Sequence, residues 1–566
     1  MAAFEGFDTL GISRTENLES ILSKNEMLLE DYEEKSIWTR HCSENMCTIE
    51  PKEGLIGGKV PDWLSGTLYR VGPGVLCFGE ECYEGALDGC AIIQAWKFDK
   101  GHVSYQSRVL ESQTYKSNLA ANRIMVSEFF TVAYPDPCQT LLGKFQTQFL
   151  SLPDPKDSTD NCLVNLIKHG DELYVTSETN TIHQIDKDTL ETLDEGTIHS
   201  KYVSVHNATA HPHTDVDGTL YNLGSSVHMG TSHLNIIQFP PPINSRNSPM
   251  GYSSSHDQAK IVARLQTSSK SRPAYIHSFG FTPNYIVVAE HPFGINIPKA
   301  ILSKATQMPA YRFIEYDKTG QVIFRVVNRN TNQETELKYY ADQPFVSFHT
   351  INAFEENGHL VFDLCSGDEP YYELLHFSNL TETNSTIPVA KVMRYVMPLE
   401  MGACNCFVEN GNFVDLPQSK CAATFDAQGR VKLTGQLLTP VEIEMPRINY
   451  AFNGKKYQYV YGVGTEFKSE TCLVKINVST GETRKWFASG CQVFEPVFAA
   501  RPGSVEEDDG VVLSPILHVK SINLVELVIL DAKTFSEIGR VTHFANGPVT
   551  PTLHGIYDPS ENRVQI

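Results

Sequence analysis

The chain has little positive charge for its length. Its 566 residues carry 46 Lys and Arg against 67 Asp and Glu, a formal net charge of -21. That balance argues against nucleic acid as a partner, which would call for a basic face. There is no uninterrupted apolar run of about 18 residues, so no membrane-spanning helix is expected. The opening residues, Met1 to Asp8, show no basic stretch followed by a hydrophobic one, so no secretory signal is expected. The 13 cysteines are odd in number and lack the spacing of a disulfide framework, which reads as reduced thiols. Cys77, Cys82 and Cys90 match no zinc or iron–sulfur spacing, and Cys404 and Cys406 stand too close for a paired-cysteine zinc site. The sequons at Asn207, Asn379, Asn384 and Asn477 are then expected to be unused. A phosphate loop, a GxSxG elbow and an HExxH helix are also missing.

What is present is a strand-rich pattern. Residues 1–50 are polar, with helical periodicity over Glu16 to Lys35, and read as a lead-in segment. From about Val60 onward, short runs of Val, Ile, Tyr and Phe alternate with turns of Asp, Asn, Gly and Lys, as hairpins do. One turn recurs: an apolar strand end, then Asp or Asn, then Lys, Gly or Thr, then a new strand. It stands at Asp99, Asp186, Asp317, Asp426, Asn477 and Asp531. The last three copies lie roughly 50 residues apart, a period that suits a four-stranded propeller blade. Residues 51–566 are therefore expected to form a single all-β domain, a propeller ahead of a sandwich or barrel, and a propeller's inner strands would bring distant residues to one axis.

Four histidines stand in apolar, strand-like contexts. They are His211 in Thr209-Ala210-His211-Pro212-His213, His277 in Tyr275-Ile276-His277-Ser278-Phe279-Gly280, His349 in Ser347-Phe348-His349-Thr350-Ile351-Asn352, and His554 in Pro551-Thr552-Leu553-His554-Gly555. Imidazole is costly to bury without a partner and is the commonest metal ligand. Any one of them alone is more often a structural histidine. Four on the strands of a propeller point to one metal.

These motifs resemble the carotenoid cleavage oxygenases. The likeness extends over nearly the whole chain after the lead-in and includes Gly66 to Arg70, Gly72-Pro73-Gly74, Leu87-Asp88-Gly89, Tyr134 to Cys138 and Glu506 to Ser514. The nearest likeness is to the animal branch, which holds β-carotene oxygenases and the retinoid isomerohydrolase, and within it to the insect carotenoid isomerooxygenases. The resemblance implies a seven-bladed β-propeller whose helical and loop inserts form a cap over an axial non-haem Fe(II). His211, His277, His349 and His554 would hold the iron, with O2 as co-substrate. His213 is left out, because the family motif keeps the histidine before proline. Four neutral imidazoles leave the full charge on the metal and coordination positions open, unlike the usual set of two histidines and a carboxylate. The family's three carboxylates fall on Glu178, Glu444 and Glu495, each accepting the second N–H of an imidazole. Phe129, Ser177 and Phe348 match positions that neighbour the substrate cavity in relatives. The implied activity adds both atoms of O2 across a central double bond of a C40 carotenoid of the zeaxanthin, β-carotene or lutein class. It gives retinal-type aldehydes, one half turning from trans to cis as an 11-cis product.

So insoluble a substrate has to be collected from a membrane. Within 135–150, Leu141, Leu142, Phe145 and Phe149 are spaced as one apolar helical face, with Cys138 just before them. The same periodicity suits a helix packed on the propeller, but in the family this region surrounds the tunnel mouth. Phe293 to Leu302 is a second apolar piece expected on that patch. The expected location is the cytoplasm, with peripheral, monotopic contact to membranes. Two rival readings are a retinyl ester isomerohydrolase, which shares the ligands but does not split its substrate with oxygen, and a non-catalytic lipid-binding propeller. The acidic run Glu506 to Asp509 reads as a solvated turn. The oligomeric state is left open.

Overall fold

The computed structural model describes residues 36–133, 159–194, 197–198, 205–228, 231–242, 258–306, 308–380, 389–400, 411–466 and 470–559. The expected segment carrying Cys138, Leu141, Leu142, Phe145 and Phe149 lies outside the described residues. Almost all regular structure is strand, and seven sheets among the described residues have four or more strands.

The first sheet combines Gly66–Val75, Cys90–Asp99 and His102–Val109 with Gly555–Pro559, the last described strand, which pairs antiparallel with Gly66–Val75. Leu55–Gly58 likewise completes the seventh sheet, of Gly510–His518, Leu524–Asp531 and Glu537–Phe544. Strands distant in sequence thus close the ring. Between them lie a second sheet around Glu172–Thr176, a third around Leu220–His228, a fourth around Tyr285–Glu290, a fifth around His359–Ser366 and a sixth around Tyr459–Glu466. Each packs its apolar face on the next. Ile167 and Ile182 meet Leu220 and Phe239, and Leu223 and Ile236 meet Phe281 and Val288. Phe324 meets Phe362, and Val361 meets Val460 and Val474. One large cluster then joins Leu473, Leu513, Trp96 and Leu166, returning to the second sheet. The result is the expected all-β propeller.

Burial explains the sequence pattern. His359–Ser366 is buried at every position and Leu524–Asp531 at all but the last, so these central strands are mostly apolar without alternation. Val431–Thr434 alternates buried and exposed, as an outer strand should. The recurrent turn has a shared physical basis. The side-chain oxygen of Asp186, Asp317, Asp426, Asn477 or Asp531 accepts backbone N–H groups two or three residues on, at 2.8–3.1 Å. At Asp99 the turn is instead a two-residue hairpin loop, with Lys100 and Gly101 both at positive φ.

Two expectations need correction. Glu506 to Asp509 is a turn with Glu506 exposed, but Glu507 and Asp508 also clamp it to the neighbouring sheet. Glu507 accepts the backbone N–H groups of Gln458 and Tyr459 at 2.7–2.9 Å, and Asp508 pairs with the buried Lys475 amine at 2.7 Å. The ladder edge at Tyr459 and an ammonium held away from water both call for an anion. Nor are all the cysteines free thiols. Cys77 and Cys82 face each other across a short antiparallel pair and form a disulfide, while the eight other described cysteines are buried outside any disulfide.

Candidate metal centre

All four histidines sit where an inner strand meets the axis. His211 lies between Asn207–Ala208 and His213–Thr214, His277 precedes Gly280–Phe281, His349 precedes Thr350–Glu356, and His554 precedes Gly555–Pro559. Neighbouring sheets are tied together at these points. Asn165 donates to the carbonyl of Ala210 at 2.7 Å, and Thr350 donates its N–H to Ser278 Oγ at 2.7 Å. Ser278 Oγ in turn donates to the carbonyl of Phe348. At Gly555 a β-carbon would stand 2.2 Å from the carbonyl of Tyr69, so only glycine lets the His554 strand approach its partner.

The four ring nitrogens converge. His211 Nε2 is 2.9 Å from His277 Nε2, which is 3.1 Å from His349 Nε2, which is 3.2 Å from His554 Nε2. All four ligand atoms lie within 4.8 Å of one another. His213 stands apart. It bonds the carbonyl of Phe279 and the hydroxyl of Tyr450 and stacks on Phe281.

Each expected carboxylate reaches its histidine. Glu178, in the turn after Glu172–Thr176, bonds His277 Nδ1. Glu444 bonds His349 Nδ1 at 2.5 Å, and Glu495 bonds His554 Nδ1 at 2.7 Å. A bulge aims Glu444. The ladder slips between Glu444 and Arg447, Met445 adopts φ +52°, and its N–H donates back to Glu444 Oε2 at 2.8 Å.

Partners of the carboxylates were not assigned from the sequence. Tyr275 donates to the second oxygen of Glu178, and Tyr371 to that of Glu444. Tyr275 stands two residues before His277 in the segment leading to Gly280–Phe281, so the motif around the ligand already contained that signal. Tyr371 follows a turn and left none. Glu495 is held by Arg70 Nη1 at 2.8 Å, paired with Arg447 at 2.9 Å, and takes the N–H of Gly555 at 3.1 Å. Burial alone would raise the Glu495 carboxyl, but Arg447, His554 and Arg70 outweigh it and hold the pKa at about 2. Burial pulls His554 down to about 4 and His211 well below the usual imidazole range, where the crowding of the other rings adds to it.

This donor set fits a metal ion. Three of the rings give Nδ1–H to a carboxylate, so their Nε2 atoms carry lone pairs. Lone pairs about 3 Å apart repel unless a cation lies between them. Nitrogens about 2.1 Å from a common ion, at right angles to one another, would themselves stand about 3 Å apart.

The expected cavity residues divide. Phe348 packs 5.8 Å from the His277 ring and 4.8 Å from Tyr371. Phe129 belongs to the same aromatic cluster, 4.8 Å from Phe130 and 5.7 Å from Tyr372. Ser177 is part-buried beside Glu178, and its carbonyl accepts from Thr176. A cleft of about 1020 Å³, lined by Phe130, Tyr311, Lys299, Arg312 and His376 among others, opens next to this cluster. The piece expected at the membrane, Phe293 to Leu302, is split. Phe293 is buried, whereas Ile301 and Leu302 on the helix Ile297–Thr306 are 71% and 60% exposed.

A buried, four-histidine, carboxylate-supported cluster on a propeller axis defines a propeller with a candidate metal site. Its lineage is equally plain. The chain belongs to the RPE65 family, whose model, described as retinal pigment epithelial membrane protein, matches residues 44–559. It is 38% identical over 522 residues to β,β-carotene 15,15'-dioxygenase of Gallus gallus, covering 91% of this chain and 96% of that one. It is 34% identical to the mitochondrial carotenoid-cleaving dioxygenase of Homo sapiens, covering 89% of this chain and 88% of that one. Among solved structures, an apocarotenoid oxygenase of Synechocystis shares the fold, with a TM-score of 0.70 at 20% identity, over 93% of this chain and 98% of that chain.

Proposed function

We propose that this protein is a non-haem iron(II) dioxygenase. It cleaves a central double bond of a C40 carotenoid into retinal-type aldehydes and turns one half from trans to cis. The observation that carries this reading is the convergence of four imidazole nitrogens within 4.8 Å, three of them oriented by buried or part-buried glutamates. The names of the relatives, carotene and carotenoid dioxygenases, agree with it. We also read the propeller as seven-bladed, since each of the seven sheets supplies one member of the set. In sheet order these are His554, Glu178, His211, His277, His349, Glu444 and Glu495.

Imidazole donors suit iron among other metals, and ferrous iron, when bound, would supply the electrons that let O2 react with a polyene. The chain's own residues do the rest. The glutamates hold each ring in one tautomer, Tyr275 and Tyr371 hold two of the glutamates, and Phe348 excludes water beside His277. Aromatic faces also favour positive charge on a twisting polyene. From the cleft, Phe130, Phe129, Tyr372, Phe293 and Phe348 follow one another with ring centroids 4.8–6.0 Å apart, ending at His277. That line is a continuous aromatic wall between the cleft and the histidines, against which a long, flat substrate could lie. Exposed Ile301 and Leu302, on the helix that also gives Lys299 to the cleft, support a cytoplasmic enzyme resting peripherally on a membrane.

The test is incubation of the iron-loaded protein with zeaxanthin or β-carotene under ¹⁸O2, with products separated by HPLC. Two labelled aldehydes, one of them cis, are expected. Aldehydes without label would overturn the dioxygenase reading, and all-trans products alone would remove the isomerase part.

A further inference from the structure

A nucleophile, a base and an acid also meet outside the metal centre, in the seventh sheet. Cys491 opens the strand Cys491–Val493 and faces His518 across the ladder. Its Sγ stands 3.5 Å from His518 Nδ1, and the ring's Nε2 bonds Glu526 Oε2 at 2.8 Å. Glu526 is itself held by Arg540 Nη1 and Thr542 Oγ1, each at 2.9 Å. Arg40 donates to the carbonyl of His518, which fixes the residue from its other side.

With Nε2–H committed to Glu526, Nδ1 is left to take the thiol's proton, and the thiolate is the nucleophilic form of cysteine. Burial alone would lower the ring's pKa, but the hydrogen bonds to Cys491 and Glu526 outweigh it and push it up to about 9. Burial holds Cys90, Cys162 and Cys365 as neutral thiols. Cys491 is 3% exposed, but the His518 side chain is 28% exposed and the preceding Ser489 and Gly490 lie in open solvent. A small reagent can therefore approach along the ring or the turn.

We propose that Cys491, His518 and Glu526 form a reactive-thiol site that takes small α,β-unsaturated carbonyl compounds. The thiol's proton passes to His518 Nδ1 and the sulfur bonds the β-carbon. The electron pair of the double bond moves toward the carbonyl, and the α-carbon takes the proton back. Every atom of both reactants is kept, and no oxidant is needed.

N-ethylmaleimide is the probe, applied briefly to the full-length protein, with peptide mass spectrometry reading each cysteine. At about pH 6.5, Cys491 is expected to label about tenfold or more faster than the other buried thiols. Its rate should rise less than about threefold by pH 8.5, where a thiol of ordinary pKa gains about fiftyfold. His518→Gln and Glu526→Gln should each slow it by about tenfold at the lower pH. Should either variant fold poorly, the wild-type pH profile decides alone. An unlabelled Cys491, or a profile that climbs as an ordinary thiol's does, overturns the proposal.

Discussion

Glu178 and Glu444 each give their second oxygen to a tyrosine, whereas Glu495 gives its second oxygen to Arg70. The tyrosine side faces the aromatic cluster. Tyr275 and Tyr371 both pack on Phe348, at 6.0 and 4.8 Å, so the groups that position His277 and His349 also wall the route from the cleft. The arginine side faces the ring closure. Arg70 lies in Gly66–Val75, pairs with Glu495 of another sheet, and donates to the carbonyl of Leu553, just before the closing strand. Three similar His–Glu pairs thus do different work. Two shape the reaction side, and the third fastens the propeller while it holds its ligand.

Removing a ligand from the tyrosine side gives the largest effect. His349→Ala should lose bound iron to background by elemental analysis, and cleavage with it, while the melting transition stays cooperative. Retained cleavage would remove the centre from the reaction. Arg70→Met should come next. It leaves Glu495 buried with one cation fewer, which typically costs about 3–5 kcal/mol of stability, read by denaturant unfolding. A variant as stable as the parent would break the contrast between the two sides. Glu444→Gln keeps the shape of the His349 partner but removes its charge. Iron affinity should fall by about 10–100-fold, with much less loss of stability than in Arg70→Met.

The sequence carried the ligands further than their supports. His211, His277, His349 and His554 were legible because each sits in a short motif on an inner strand, where a buried histidine needs an explanation. The glutamates were legible through family likeness. Arg70 ends the Gly66 to Arg70 motif and Arg447 stands three residues after Glu444, but no local spacing says that two arginines will meet a carboxylate from another sheet. Tyr371 has no pattern around it, because its position depends on how the connection between His359–Ser366 and Lys391–Pro398 folds. The acidic run misled for the same reason. Its charges look solvated until the fold brings Lys475 and the edge at Tyr459 against them.

The smallest effect should come from Tyr371→Phe, and it separates a positioning role from a packing role. The ring and its contact with Phe348 are kept, while the hydroxyl that donates to Glu444 is lost. A hydrogen bond to a charged group contributes about 1.5–3 kcal/mol, and the Met445 N–H at 2.8 Å still serves this carboxylate. Stability should therefore drop by no more than about 1–2 kcal/mol. If Tyr371 positions His349 through Glu444, iron affinity should weaken by a small factor and turnover should fall with KM nearly unchanged. If it only walls the substrate route, iron affinity should stay at the parent value and KM should stay unchanged too, since phenylalanine preserves the wall. A rise in KM at full iron affinity would place the hydroxyl on the substrate and not on the carboxylate.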